Sequence, residues 1–236
     1  PPRSTLFPYT TLFRSPGLFL SASRRPACGR RFFPYTVPMT SDDTRRAPPW
    51  LGDVRMRLAL AVLAFPLANA VLNVLILKNP VPLFLDSSFT AASALFGLPY
   101  GMATAVMTNL LEEAFNGFPW KHLPFAICGM ATVLIVWFMA RLGKLRTPLH
   151  ALLATFFVAL ANSVLGAVIA TFVYGGGTGT NIDIVVAGFS LAMESIFSAA
   201  FFGRMLVNIV DKAPAVILAM VMARFLGVSG ASLKDR

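Results

Sequence analysis

Long apolar runs, separated by short polar stretches, leave this chain few folds to choose from. They are Met56–Leu77, Leu83–Phe115, Leu123–Ala140, Leu149–Tyr174 and Ile184–Leu226. A helix needs about 20 apolar residues to cross the hydrocarbon core of a bilayer. Within lipid a spanning segment must satisfy its own backbone N–H and C=O groups, which a helix does. Charged residues make up 13% of the 236-residue chain, against about 25% in soluble domains. So few charges could hardly coat a water-soluble surface of this size. The sequence predicts an all-α, polytopic membrane helix bundle over residues 56–227, with a polar segment at 39–55 and a polar tail at 228–236.

The formal net charge of +10 would suggest nucleic acid on a soluble protein. Here the Lys and Arg residues fall mostly between the apolar runs, so they read as topology signals, and no nucleic-acid partner is expected. Cytoplasmic loops collect Lys and Arg. Arg45, Arg46, Arg55 and Arg57 precede the first run, which puts the N-terminus on the cytoplasmic side of a cell inner membrane. The run Leu83–Phe115 is too long for one straight helix. Gly97-Leu98-Pro99-Tyr100-Gly101 breaks it into helices over Phe84–Phe96 and Tyr100–Phe115, because Pro99 disfavours helix in the residue before it and glycine permits a turn. With that split, Arg141, Lys144 and Arg146 fall inside, the charge-poor loop Gly175–Asp183 outside, and Arg204 with Lys212 inside. The result is six crossings up to about Val207. Asp211-Lys212-Ala213-Pro214 interrupts the last run. Two readings stand for residues 213–226: a re-entrant or interfacial tail helix, or a short seventh crossing.

The first residues read differently. Leu6–Ser15, LFPYTTLFRS, matches the translation of a sequencing-adapter oligonucleotide, and the stretch up to Pro38 is rich in Pro, Arg and Ser without helical period. Residues 1–38 are therefore expected to be read-through or a disordered leader, with Met39 as the start of the protein.

Helices in lipid pack through small residues spaced by four. Ala64 and Ala68 on the first helix, Ala159, Ser163, Ala167 and Thr171 on the fifth, and Ser195, Ala199 and Gly203 on the sixth form such ladders. Pro66 should kink the first helix unless a neighbour satisfies the carbonyl it frees. The third helix carries the sharpest signal: Gly101, Ala105, Asn109 and Glu113 share a face, with Thr108 and Glu112 beside it. That pattern fits either the wall of a site opening outward or a pair of acids at the interface near Asn116 and Lys121. Acids at membrane depth are costly and usually face a cavity or a partner. Glu194, with apolar sequence on both sides, fits an interhelical hydrogen bond or a polar ligand equally. Asn162 reads first as interhelical glue, and Asp86-Ser87-Ser88 as the cap of the second helix.

Enzyme signatures are missing: there is no His-Glu-x-x-His, no Gly-x-Ser-x-Gly and no Gly-x-x-x-x-Gly-Lys-Ser/Thr. Gly175-Gly176-Gly177-Thr178-Gly179 follows a helix, not a strand, and reads as a flexible loop. Cys28 and Cys128 suggest neither a disulfide framework nor a metal site. His122 and His150 read as interfacial residues. No catalytic residue, metal or cofactor is expected.

The segment Phe84–Glu113, FLDSSFTAASALFGLPYGMATAVMTNLLEE, resembles the second and third helices of substrate-binding S components of energy-coupling factor (ECF) transporters. The shared features are an Asp-Ser start, a small-residue helix, a Gly-Pro-like break, and Gly-x-x-x-Ala leading to Thr-Asn. The stretch DKAPAVILAMVMARFL from Asp211 is similar to the C-terminal end of many members. Leu98 between Gly97 and Pro99, and Pro66 in the first helix, depart from the pattern. The resemblance implies a six-helix subunit that captures a vitamin or other micronutrient from outside. It would dock on a transmembrane T component driven by two cytoplasmic ATPase subunits. Ala64 and Ala68 would form the docking face. Asn109, Glu112, Glu113, Glu194 and Asn162 are the candidate residues around the substrate. The alternative is a membrane sensor or ligand-binding module of a signalling protein.

Overall fold

The computed structural model describes residues 53–77, 81–117 and 119–226. The adapter-like string, the start at Met39, the turn at Lys78-Asn79-Pro80 and the tail from residue 227 lie outside the described residues. Among the described residues every regular element is helical. The elements are α1 (Val54–Ala59), a π-helical stretch (Leu60–Ala64), α2 (Phe65–Leu77), α3 (Ser88–Ser93) with a 3-10 turn (Ala94–Phe96), α4 (Leu98–Phe115), a 3-10 turn (Leu123–Phe125), α5 (Ala126–Arg141), a 3-10 turn (Lys144–Arg146), α6 (Pro148–Phe172), α7 (Ile182–Ser190) and α8 (Ile196–Phe225).

The packing is that of a membrane bundle. Buried apolar positions are mostly alanine, whereas Leu67, Leu75, Leu152, Phe172 and Leu206 stand exposed on the outside. That inversion is expected where lipid solvates large side chains and helices meet through small ones. Ala159, Ser163 and Ala167 are fully buried on α6, which packs along the length of α8. Gly101 lies so close to Val133 of α5 that a Cβ there would clash with it, and a Cβ on Gly203 would come within 3.1 Å of the Val186 backbone on α7.

Among the described residues, four stretches are long and apolar enough to cross a membrane: Val54–Ile76, Leu123–Arg141, Pro148–Phe172 and Ile196–Phe225. The other helices are shorter. α3 is reached through an extended segment, and α7 has 9 residues.

Pro66 is accommodated by widening the helix. The π-helical stretch Leu60–Ala64 lies just before it, and the Phe65 amide bonds Leu60 O, five residues back. In that register the amide missing at Pro66 would have bonded Ala61 O. Thr104 Oγ1 of α4 donates to that carbonyl instead, at 2.9 Å.

The last apolar run divides elsewhere than the sequence suggested. The break falls at residues 191–195, and α8 continues unbroken through Asp211, Lys212 and Pro214. There is neither a sixth crossing ending near Val207 nor a separate helix over residues 213–226. A Lys-Asp pair reads as a loop because charges need water. Here Lys212 Nζ is 3.0 Å from Asp86 Oδ1, 2.8 Å from Ser87 Oγ and 2.6 Å from Asp211 Oδ2, so protein replaces the water. The shift also moves Ser195 out of its ladder, to the N-cap of α8.

Basic residues gather at one end of the bundle. Arg57 Nη1 donates to Phe96 O at 3.4 Å, and its guanidinium lies over the Tyr100 ring. Arg224 Nε donates to Arg146 O at 3.0 Å, in the turn that also carries Lys144. Arg204 and Lys212, read from sequence as loop charges, are instead buried within the helices.

Candidate ligand-binding site

Two irregular segments fold inward at the end away from those arginines. The first is the extended stretch before α3. Asp211 Oδ1 accepts the Phe84 and Leu85 amides, each at 2.8 Å, and Asn73 Nδ2 donates to Phe84 O at 3.3 Å. Leu85 is held at φ 50°, in the left-handed region that a branched side chain rarely adopts. The expected Asp86-Ser87-Ser88 cap does not form, since Ser87 makes no side-chain capping bond and Asp86 and Ser87 serve Lys212. The α3 N-terminus is capped from α2: Asn69 Oδ1 accepts the Phe89 amide at 2.9 Å. Asn69 Nδ2 also reaches Thr90 Oγ1 and Thr108 Oγ1 at 2.9 and 3.1 Å, tying α2, α3 and α4 together.

The second segment is the glycine-rich loop after α6. Gly176, at φ 108°, donates its amide to Ala170 O at 2.7 Å and closes the helix. Asp183 then accepts from the Thr178 amide, the Thr178 hydroxyl and the Gly179 amide, at 2.8, 2.8 and 2.7 Å. A loop expected to be flexible is therefore pinned by one carboxylate, with Thr178 buried.

Between these segments lies a cavity of about 390 Å³, in the range of small-molecule sites. Its walls come from α4 (Thr108, Asn109, Glu112), α5 (Cys128, Gly129), α6 (Asn162, Gly166) and α8 (Arg204, Asn208, Lys212), with Asp86, His122 and residues 178–181 from the loops. Asn109 spends its amide on Ala105 O, and Asn162 bonds Thr132 Oγ1 of α5 at 2.9 Å, so Asn162 both ties helices together and lines the space.

The two adjacent acids take different parts. Glu113 Oε1 accepts the His122 and Leu123 amides, capping the turn into α5 from a fully buried position outside the cavity wall. Glu112 is 2% exposed and lines the cavity. Its Oε2 lies 3.8 Å from His122 Nδ1, and its Oε1 has no hydrogen-bond partner. Burial pushes the His122 imidazole below its usual pKa, so it is neutral at pH 7.

Arg204 is 5% exposed and rests on the Phe125 ring, 5.4 Å from its centroid. Gly166 makes the room for it: a Cβ there would lie 3.2 Å from Arg204 Cδ. Its Nε and Nη2 have no hydrogen-bond partner.

Of the residues singled out from sequence, Asn109, Glu112 and Asn162 meet at the cavity. Glu194 does not: it stands exposed in the turn between α7 and α8, because the helix break falls at that point and not after it. Ala64 is exposed and Ala68 half-buried on the outer surface of the first helix. Arg204 and Lys212 were visible only as charges, and Asn69 carried no signal beyond being polar within an apolar run. Family models, curated proteins and solved structures were all compared with the chain, and none matched.

Proposed function

We propose that this chain is the membrane-embedded capture subunit of an ECF-type importer, taking a vitamin or other small micronutrient from outside the cell. The observation that carries the reading is the cavity, whose buried wall holds a carboxylate oxygen and a guanidinium edge with no protein partner. Buried polar groups are ordinarily satisfied. Two open groups of opposite charge on the wall of one space of ligand size support the reading of a receptor.

Orientation supports capture from outside. Arg57, Lys144, Arg146 and Arg224 mark one end, and by the positive-inside rule that end is cytoplasmic. The cavity then opens outward, and the N-terminus lies on the cytoplasmic side of the cell membrane. Energy would come from a T component and two ATPase subunits. Ala64 and Ala68 offer a small-residue docking face on the first helix, open on the surface.

The test is co-purification with the T component of the same host, for wild type and for Ala64→Leu with Ala68→Leu. The reading expects a stable complex from wild type and a loss of complex from the double variant, with ligand binding by the isolated subunit retained. A wild type that joins no T component, yet binds ligand, would remove the importer assignment.

A further inference from the structure

The proposed capture function leaves the chemistry of the captured molecule open, and the cavity wall narrows it. We infer that the ligand is a small amphoteric molecule whose anionic group meets Arg204 and whose basic nitrogen meets Glu112. This inference rests on the capture reading above.

Arg204 sets the anionic half. The two unpartnered nitrogens, Nε and Nη2, form one edge of the guanidinium fork. That edge offers two parallel N–H groups, the geometry that matches both oxygens of a carboxylate or phosphate. The rest of the group is already placed: Phe125 lies under its face and Gly166 leaves space beside Cδ and Nη1. Among the described residues no carboxylate lies within ion-pair distance of it. Asp183, on the neighbouring loop, spends its oxygens on Thr178 and Gly179. Lys212, the other buried cation, differs in having Asp86, Ser87 and Asp211 around it. An anion entering the cavity therefore finds its open partner at Arg204.

Glu112 sets the other half. Its Oε1 accepts nothing from the protein, and the His122 ring, 3.8 Å from Oε2, is too far for a hydrogen bond. A carboxylate oxygen accepts, so the complement is an N–H donor, strongest when cationic. Arg204 lies over Phe125 and Glu112 beside His122. Phe125 and His122 bound a single 3-10 turn, and Arg204 and Glu112 line the same cavity. A molecule that fills the cavity and meets both walls therefore carries both charges, as amino acids and related zwitterions do. A neutral solute can hydrogen-bond to both wall groups but leaves both charges uncompensated, and a singly charged one leaves one of them so, forgoing the stronger pairing of opposite charges.

The experiment is calorimetric titration of the purified full-length protein with matched triads: an amino acid, its decarboxylated amine and its deaminated acid. Phenylalanine, phenethylamine and 3-phenylpropionate form one triad; aliphatic triads and neutral amides complete the set. Wild type should bind the best zwitterion at least tenfold more tightly than either singly charged relative. Arg204→Gln should bring the zwitterion-to-amine ratio close to one, and Glu112→Gln the zwitterion-to-acid ratio. Arg204→Lys, which keeps the charge and loses the fork, should fall between. Because the readout is a ratio within one variant, a general loss of packing does not imitate it. Tightest binding by a neutral or singly charged compound, or ratios unmoved by both variants, would overturn the zwitterion assignment and leave capture intact. No binding by any compound in the set would likewise overturn the zwitterion assignment, while the capture reading stands or falls on the T-component experiment above.

Discussion

Lys212→Met removes a buried cation that holds the extended segment against α8, and its cost can be worked from the contacts. The Lys212 ammonium faces Asp86, Ser87 and Asp211 at 3.0, 2.8 and 2.6 Å. The Asp86 side chain is 28% exposed, so that arm resembles a partly solvated pair and counts for about 1 kcal/mol or less. Asp211 is fully buried. Taking away its counter-charge leaves a carboxylate in low dielectric, which costs about 3–5 kcal/mol. Thermal unfolding in detergent should fall by roughly 6–20 °C, at about 2–4 °C per kcal/mol for a chain of this size. Asp211→Asn in the Lys212→Met background should restore much of the loss, since the amide oxygen can still accept the Phe84 and Leu85 amides. Asp86→Asn alone should cost little. A Lys212→Met protein within 1 kcal/mol of wild type would refute the claim that this charge group, and not water, stabilises a continuous α8. So would a double variant no better than the single.

Other expectations follow from single contacts. Gly101→Ala should destabilise by about 1–3 kcal/mol by overpacking against Val133. Val133→Ala in the same chain should relieve it, as read by thermal unfolding. Asn69→Ala removes three bonds that join α2, α3 and α4 and should cost about 2 kcal/mol, at the modest value of interhelical bonds in membranes. Because burial holds the His122 imidazole below its usual pKa, the unfolded chain takes up that proton first. Stability should be full above about pH 6.5 and decline as pH falls below it. His122→Gln should flatten that part of a melting-temperature profile.

The fold was legible where composition and period suffice. Runs of apolar residues announced a helical membrane bundle. Four-residue ladders marked the α6 face that packs on α8, and the glycine-proline break between Phe96 and Tyr100 was placed to within two residues, at Gly97. The last run was misdivided because Asp211-Lys212 and Pro214 carry the signs of a loop. Their actual environment, an ammonium shared among three oxygens from distant segments, is a tertiary fact with no local trace. The same limit hid most of the site. Glu112 stood out as an acid at membrane depth, yet nothing local distinguished it from Glu113, which caps the turn into α5. Arg204 looked like a loop charge until Phe125 and Gly166, far away in sequence, formed its seat. Glu194 misled for the opposite reason. Apolar neighbours suggested depth, whereas a turn without a strong breaker put it at the surface.

The central claim is an outward-opening cavity, and cysteine accessibility in intact cells tests it most directly. In a background with Cys28 and Cys128 replaced by alanine, Thr180→Cys lies on the cavity wall and Lys144→Cys at the arginine-rich end. The account predicts that a membrane-impermeant maleimide labels Thr180→Cys in intact cells and Lys144→Cys only after permeabilisation. The reverse pattern, Lys144→Cys labelled from outside and Thr180→Cys protected, would contradict it.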